Sequence, residues 1–344
     1  VSGLLYDVSD RIQRKLMAQV LPKITASLIR TIGDSIAPRE AGAGRLCVLN
    51  YHRILSAPDP LLDSEPDVAA FDWQMQLLKQ CFNVLPLHEA IGMLRHERMP
   101  PRAVAISFDD GYRSIHDLAM PILVENGLPA TVFVTTGHMH DDGSMWNDII
   151  LEAVRRLPRS PLDLESLGLK VYPMASPTER KRTADILTER CKYMPLHDRT
   201  RFTDYLQSLV GCDLRQDLML TADMLRTLQR NRIEIGGHTV NHPILTSLDD
   251  AMAQREIVDN KTHLESMIGQ PLRLFAYPNG RRPADYDERH VAMVDQAGYD
   301  AAFTTVGCAA TARNAQFEMP RRRPWDTTPL WFAARLLRWL AGGH

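Results

Sequence analysis

Cysteine is sparse in this chain and has no pattern. Cys47, Cys81, Cys191, Cys212 and Cys308 are scattered and odd in number, and no two form a C-x-x-C pair. That argues against a disulfide framework or a thiolate zinc site and leads us to expect free thiols in a reducing compartment. Long apolar runs are absent too. No stretch approaches the ~18 residues of a spanning helix. Net charge is only −2 over 344 residues, so no polyanion is implied and no nucleic-acid partner is expected. No serine nucleophile elbow occurs. The one glycine-rich candidate for a phosphate loop, AGAGR (41–45), precedes a strand where such a loop must follow one. The first residue is Val1 rather than Met, which leaves open a removed upstream piece. The expectation is cytoplasmic, at the inner membrane face, or periplasmic if a signal peptide was removed.

What is present is ordinary globular composition, 44% hydrophobic and 24% charged, enough for one large domain with additions or for two. Residues 1–36 carry Ile12, Leu16, Val20, Ile24 and Leu28 at a spacing of four, with Arg11, Arg14, Lys15 and Lys23 between them. This pattern predicts an amphipathic helix, packed on the main domain or touching a membrane surface or a second copy. From residue 45 short apolar strands (46–51, 103–108, 130–134, 233–237, 272–277, 301–305) alternate with helical stretches (71–81, 87–96, 114–126, 222–230, 249–268, 284–297). Ser247 with Asp250 resembles a capping box at the start of the longest. The alternation argues for a parallel α/β sheet, open or closed into a barrel, with chemistry on loops at the strands' carboxyl ends. Residues 144–220 break the rhythm. They are charged, helical and punctuated by Pro158, Pro161, Pro173, Pro177 and Pro195, which reads as a helical insertion. The last stretch sets Trp331, Leu336 and Trp339 among Arg335 and Arg338. It is an amphipathic helix that caps the fold or lies on a bilayer surface. The resulting division is 1–44, a leading helical segment and linker; 45–325, the main domain; and 326–344, the trailing helix.

The strand AVAISF (103–108) ends in Asp109 and Asp110, then Gly111. Two adjacent carboxylates repel unless a cation lies beside them. At the end of strand 233–237 stand His238 and His242, four apart, a spacing that aims two imidazoles at one point on a helical turn or on a loop leading into one. Alone, such a pair is more often two surface or core histidines with no metal. With a carboxylate at the same sheet edge it makes a facial set for zinc or a similar divalent ion, leaving positions for water and substrate.

Phe108-Asp109-Asp110-Gly111 together with His238-Thr239-Val240-Asn241-His242 resembles the polysaccharide deacetylases of carbohydrate esterase family 4, the NodB-homology domain. Phe275-Ala276-Tyr277-Pro278-Asn279-Gly280 resembles that family's looser third motif. The resemblance spans roughly residues 45 to 325 and implies a distorted, incomplete (β/α) barrel with a helical insertion. By the family's pattern, Asp110, His238 and His242 would hold a divalent metal, zinc first, with cobalt or nickel as alternatives. Asp109 would be the general base, and the Tyr112 backbone N–H would hold the oxyanion. Two positions depart from the pattern. The third motif usually carries an Arg where Ala276 stands, and Arg321 is the favoured replacement, although Arg321–Arg323 also read as a solvated basic turn. No histidine lies between Thr305 and Arg338 to serve as the acid. His52, at the end of the first strand, fills that role if the chain resembles the family's permuted members, in which the acid comes first. His138 and His140, Trp146 and Asn147, and Tyr277 and Asn279 are candidates for touching substrate. His88, His96, His116, His197, His263 and His290 are expected on the surface.

The resemblance implies removal of N-acetyl groups from N-acetylhexosamine units of a bacterial exopolysaccharide or its lipid-linked precursor. Two alternatives stay open: an amidohydrolase acting on another C–N bond, and a non-catalytic glycan-binding scaffold.

Overall fold

The computed structural model describes residues 21–37, 44–139, 144–214, 217–307 and 309–343. Ile12, Leu16 and Val20, most of the 41–45 linker, His140 and Cys308 lie outside the described residues.

Six parallel strands form the frame: β1 (Arg45–Tyr51), β3 (Ala103–Phe108), β4 (Ala130–Val134), β7 (Ile233–Gly237), β8 (Leu274–Ala276) and β9 (Ala301–Phe303), hydrogen-bonded in that order. A two-residue strand β2 (Asn83–Val84) adds to β3, and β10 (Ala310–Thr311) runs antiparallel to β1. Strands β5 (Leu162–Asp163) and β6 (Val171–Tyr172) form a separate hairpin. The main sheet curls without closing. Between β9 and β1, beyond β10, runs the segment 319–322, joined by the isolated bridges Phe303–Met319 and Leu49–Arg322. Met319 N–H donates to Ala302 at 2.9 Å and Arg322 N–H to Val48 at 2.9 Å. This is an incomplete (β/α) barrel, and the gap filler places Arg321 among the strands.

Alternation along each strand sorts the side chains by face. Leu46 and Val48 of β1, Ala103 and Ala105 of β3, Phe133, Leu274, Ala276, Ala301 and Phe303 pack together inside the curl. Helix α3 (Leu87–Arg95) adds Leu87, Ala90, Ile91 and Leu94 to the same cluster. Cys47, Leu49 and Tyr51, with Val104, Ile106 and Phe108, face the other way and meet helix α2 (Val68–Cys81) through Phe71, Met75 and Leu78. On the inner face the series Ala103, Ala105 continues into Ser107 and Asp109. The first carboxylate is therefore carried inward by the same alternation that builds the core.

Helix α1 (Lys23–Ile36) packs through Ala26, Ile29 and Gly33. The stripe read from the sequence is the wrong face for packing: Ile24 is 84% exposed and Leu28 is 58% exposed. The trailing helix α11 (Pro329–Leu340) buries Phe332, Leu336 and Trp339 in the main core and leaves Trp331 71% exposed. The helix α9 (Asp250–Ile268) is capped by Asp249, whose carboxylate accepts from the Met252 N–H at 2.8 Å; Ser247 instead donates to the Ile244 carbonyl. Asp249 sits immediately before the first helical residue, where a side-chain acceptor can reach the free N–H groups. His290 is fully buried rather than on the surface, its Nδ1 against the Asp287 N–H at 3.0 Å.

Between β4 and β7 the chain departs into α5 (Trp146–Arg156), the β5–β6 hairpin, α6 (Pro177–Lys192) and α7 (Leu196–Val210). These elements have a core of their own, centred on Ile150, Val154, Leu164, Leu187, Phe202 and Leu206. The chain then returns through α8 (Ala222–Arg230), and α10 (Glu288–Gln296) links β8 to β9. Among the described residues no helix is long and apolar enough to cross a membrane.

Candidate active site

The carboxyl end of β3 is the starting point. Asp109 N–H donates to the Tyr51 carbonyl at 2.9 Å, continuing the ladder one residue past the strand. Asp110 then turns with φ of 74° and Gly111 with φ of 85°. A side chain at Gly111 would place its Cβ 2.9 Å from Val134 Cγ1, so this corner requires glycine. The Asp110 carbonyl accepts from the Thr135 hydroxyl at 2.9 Å. Asp110, Thr239 (φ 64°), His242 (φ 50°) and Asn279 (φ 59°) are four of only seven non-glycine residues with positive φ among the described residues. Such strain persists where the surroundings over-determine the backbone.

The His238–His242 stretch is a loop rather than a helical turn. Helix α9 shapes it. Glu256 Oε2 accepts from the N–H groups of Val240 (2.9 Å) and Asn241 (2.8 Å), and Oε1 from Asn241 Nδ2 (2.7 Å). One turn later, fully buried Asn260 accepts from the His238 N–H at 3.1 Å and donates to the carbonyls of Thr239 (2.6 Å) and Val134 (2.9 Å). Neither residue was assigned to the site from the sequence, where Asn260 shows only as the start of an Asn260-Lys261-Thr262 glycosylation pattern set aside for lying in a helix. The available signal was a pair of polar residues, i and i+4, on a helix face otherwise made of Ala253, Ile257 and Leu264.

His238 Nδ1 lies 2.7 Å from the Ala276 carbonyl, which turns Nε2 toward Asp110. Asp110 Oδ1 is 3.5 Å from His238 Nε2 and 3.4 Å from His242 Nε2. One ligand atom from each of the three residues falls within 4.8 Å of the others. Asp110 Oδ1 is buried without a hydrogen-bond partner, an unsatisfied state that demands a ligand. Burial pushes the His242 imidazole down to about 3 against the pull of Asp110, so the ring is neutral and its lone pair available. Burial alone would raise the Asp110 carboxyl, but the neighbouring His238, His242 and His52 hold it below the usual carboxylate range. Two imidazole nitrogens and one carboxylate oxygen around a point suit a divalent ion of zinc type.

Asp109 sits beside this set. Arg321, fully buried, donates to both its oxygens, NH1 to Oδ1 at 2.6 Å and NH2 to Oδ2 at 2.9 Å. Asn50 Nδ2 donates to Oδ2 at 3.0 Å. Burial raises the Asp109 carboxyl, yet Arg321, with His238 and His52, outweighs it and keeps the group below the ordinary range. The guanidinium also lies over the Phe133 ring, 4.9 Å from its centroid. Arg321 is therefore a buried partner of Asp109 and not part of a solvated turn.

A pocket of about 300 Å³ opens over these groups. Its barrel wall is His52, Asp109, Asp110, His238, His242, Asn279 and Thr305. Its other wall comes from the insertion: Met145, Trp146, Asn147, Thr188, Glu189 and Lys192. The last three were not singled out from the sequence, since nothing in a charged helix marks which residue faces a site in the folded chain. His52 Nδ1 is buried without a partner. Burial lowers the Lys192 ammonium below its usual range, with Asp285 opposing.

Three candidates are placed differently. The Tyr112 side chain turns away from this pocket into a neighbouring cavity, under the Arg53 guanidinium at 3.8 Å, so only its backbone can serve the site. Tyr277 is buried and stacked on Tyr286, ring centroids 4.0 Å apart, and does not line the pocket. It is a packing residue because β8 points it outward from the curl. His138 lines a separate cavity with Trp146 and residues of α7.

A profile of the family described as Polysaccharide deacetylase matches residues 96–194 and 199–302, more than half of the chain. YxkH of Bacillus subtilis (strain 168), named as a polysaccharide deacetylase by inference, is 22% identical over 283 residues, covering 81% of this chain and 71% of that protein. The poly-β-1,6-N-acetyl-D-glucosamine N-deacetylase of Staphylococcus aureus (strain MSSA476) is 30% identical over 107 residues, 27% of this chain and 37% of its own length. Among solved structures, the deacetylase PplD of Streptococcus pyogenes in complex with acetate is similar with a TM-score of 0.58 at 19% identity, covering 85% of this chain and 98% of that one. IcaB from Ammonifex degensii is similar with a TM-score of 0.56 at 17% identity, covering 87% and 97%.

Proposed function

The chain belongs to the polysaccharide deacetylase family, and from that premise we propose that it is a metal-dependent hydrolase removing N-acetyl groups from N-acetylhexosamine units of a bacterial glycan or its lipid-linked precursor. The observation that carries this reading is the convergence of Asp110, His238 and His242 beside an Asp109 clamped by Arg321. A divalent ion held by those three residues, zinc first and cobalt or nickel as alternatives, would polarise the acetamide carbonyl and make water a stronger acid.

The protein's own groups do the rest. Asp109 offers about four lone-pair positions, and three are filled by Arg321 and Asn50. The remaining position, on Oδ1, would take the proton of the attacking water. Water oxygen bonds to the carbonyl carbon, and the Tyr112 N–H would steady the developing oxyanion, a contribution of roughly 10²–10³ in rate for one such donor. The C–N bond then breaks, and His52 would deliver a proton to the departing amine. Acetate and a free amine result. With His52 ahead of Asp109 in the chain, this assignment makes the protein a permuted member of its family. The division at 44/45 and 325/326 belongs with the same proposal.

Acetate release by zinc- or cobalt-loaded protein on N-acetylglucosamine oligomers tests the reading. Wild type should release acetate, and Asp109→Asn should do so at least about a hundredfold more slowly. A fully active Asp109→Asn variant would remove the base, and release of formate alone from formylated sugars would favour another C–N substrate. A bound glycan with no turnover would favour a scaffold.

Peripheral membrane contact at the inner face is part of the proposal. It is supported by Ile24, Leu28 and Ile32, exposed on one side of α1, and by exposed Leu330 and Trp331 at the start of α11.

A further inference from the structure

The insertion is fastened around the mouth of the barrel at separate points. Arg53, on the loop after β1, pairs with Asp148 of α5. Arg199 of α7 donates to the Asn241 carbonyl, on the loop after β7, at 3.3 Å, and lies 4.8 Å from the Trp146 ring centroid. The Tyr193 hydroxyl, just past α6, donates to Asp285 at 3.3 Å and accepts from Arg281, both on the loop after β8. The insertion itself leaves from the loop after β4. Four strand-end loops thus hold one roof, and the space beneath it is about 300 Å³, at the small end of ligand pockets of about 300–1,000 Å³. Such a volume suits one sugar ring rather than a run of them.

The roof has recognition chemistry of its own. The Trp146 indole nitrogen and the Asn147 side-chain oxygen are buried without partners. Thr188, Glu189 and Lys192 occupy one side of the last turn of α6 and reach the same pocket. A carboxylate accepts and an ammonium donates, and sugar hydroxyls do both, while an aromatic ring matches the apolar face of a pyranose. We infer that the insertion makes this an end-acting site, selecting a single terminal N-acetylhexosamine over internal units of a polymer, with Glu189 and Lys192 as specificity-determining contacts to its hydroxyls. This rests on the deacetylase reading and specifies its substrate class.

The test uses full-length, zinc-loaded protein and N-acetylglucosamine tetramers in β-1,4 and β-1,6 linkage. Product amines are located by tandem mass spectrometry. One amine per chain, at an end, is expected. Glu189→Ala and Lys192→Ala should each raise KM roughly ten- to a hundredfold, as loss of a charged hydrogen bond implies, with a smaller fall in kcat and unchanged metal content. Calorimetric titration of Asp109→Asn protein with N-acetylglucosamine should show binding that Lys192→Ala weakens by a similar factor. Amines distributed over internal units, or both roof variants leaving KM and calorimetric binding unaltered, would overturn the inference while leaving deacetylation intact. No acetate from any tetramer or monosaccharide would overturn both.

Discussion

The two walls of the pocket differ in how their backbones are held. On the barrel side Asp109, Asp110 and His238 are nearly inaccessible, and Asp110, Thr239, His242 and Asn279 sit at positive φ. Glu256, Asn260, Arg321 and Asn50 brace them with buried or partly buried hydrogen bonds. On the insertion side Trp146, Asn147, Thr188 and Lys192 project from regular helices while partly open to solvent, and no described non-glycine residue of the insertion has positive φ. Bond-making groups must be fixed to fractions of an ångström, and a strained, dry wall can do that. Recognition of hydroxyls tolerates adjustment, and unstrained helices on a separate core provide it. The contrast implies that substitutions on the barrel wall act on chemistry and stability, and those on the roof act on binding.

Four variants sharpen or break that contrast. Asp109→Asn should keep its metal and lower kcat by about 10²–10⁴-fold, the range of a lost general base; metal analysis beside an acetate assay checks both halves. Arg321→Met strands a buried carboxylate, which costs about 3–5 kcal/mol of folding stability, readable in urea denaturation. Glu256→Gln removes a carboxylate that orients the histidine loop and should weaken metal affinity about 10–100-fold, measured by competition with a chelator. Arg155→Ala breaks a partly exposed pair between the insertion and Asp59 and should change stability by less than about 1 kcal/mol. If Arg155→Ala proved as damaging as Arg321→Met, the two walls would not differ as described.

Much of this arrangement is legible in the order of residues alone. Strand alternation puts Asp109 on the inner face with Ala103, Ala105 and Ser107. Two of the strand ends, at Asp109–Gly111 and His238–His242, announce themselves by residue type and spacing. Arg321 could be singled out only because Ala276 left its position empty; the reason it reaches Asp109, the short segment filling the gap between β9 and β1, is a property of the folded curl. The roles of Asn50, Glu256 and Asn260 escaped because a polar residue on a buried face shows its purpose only when its partner, distant in sequence, is in view. The packing side of α1 stayed hidden for a related reason. Regular spacing identifies a helix face, and the small residues Ala26 and Gly33, which allow close approach to the core, carry little weight in such a pattern.

The central claim is that Asp110, His238 and His242 share one divalent ion. Zinc content by plasma mass spectrometry, on protein incubated with zinc and desalted, tests it most directly. One zinc per wild-type chain is expected, with near-complete loss in folded His242→Ala protein, folding being verified by circular dichroism. Wild-type protein that retains no zinc, cobalt or nickel, or a His242→Ala variant that retains as much as wild type, would contradict it.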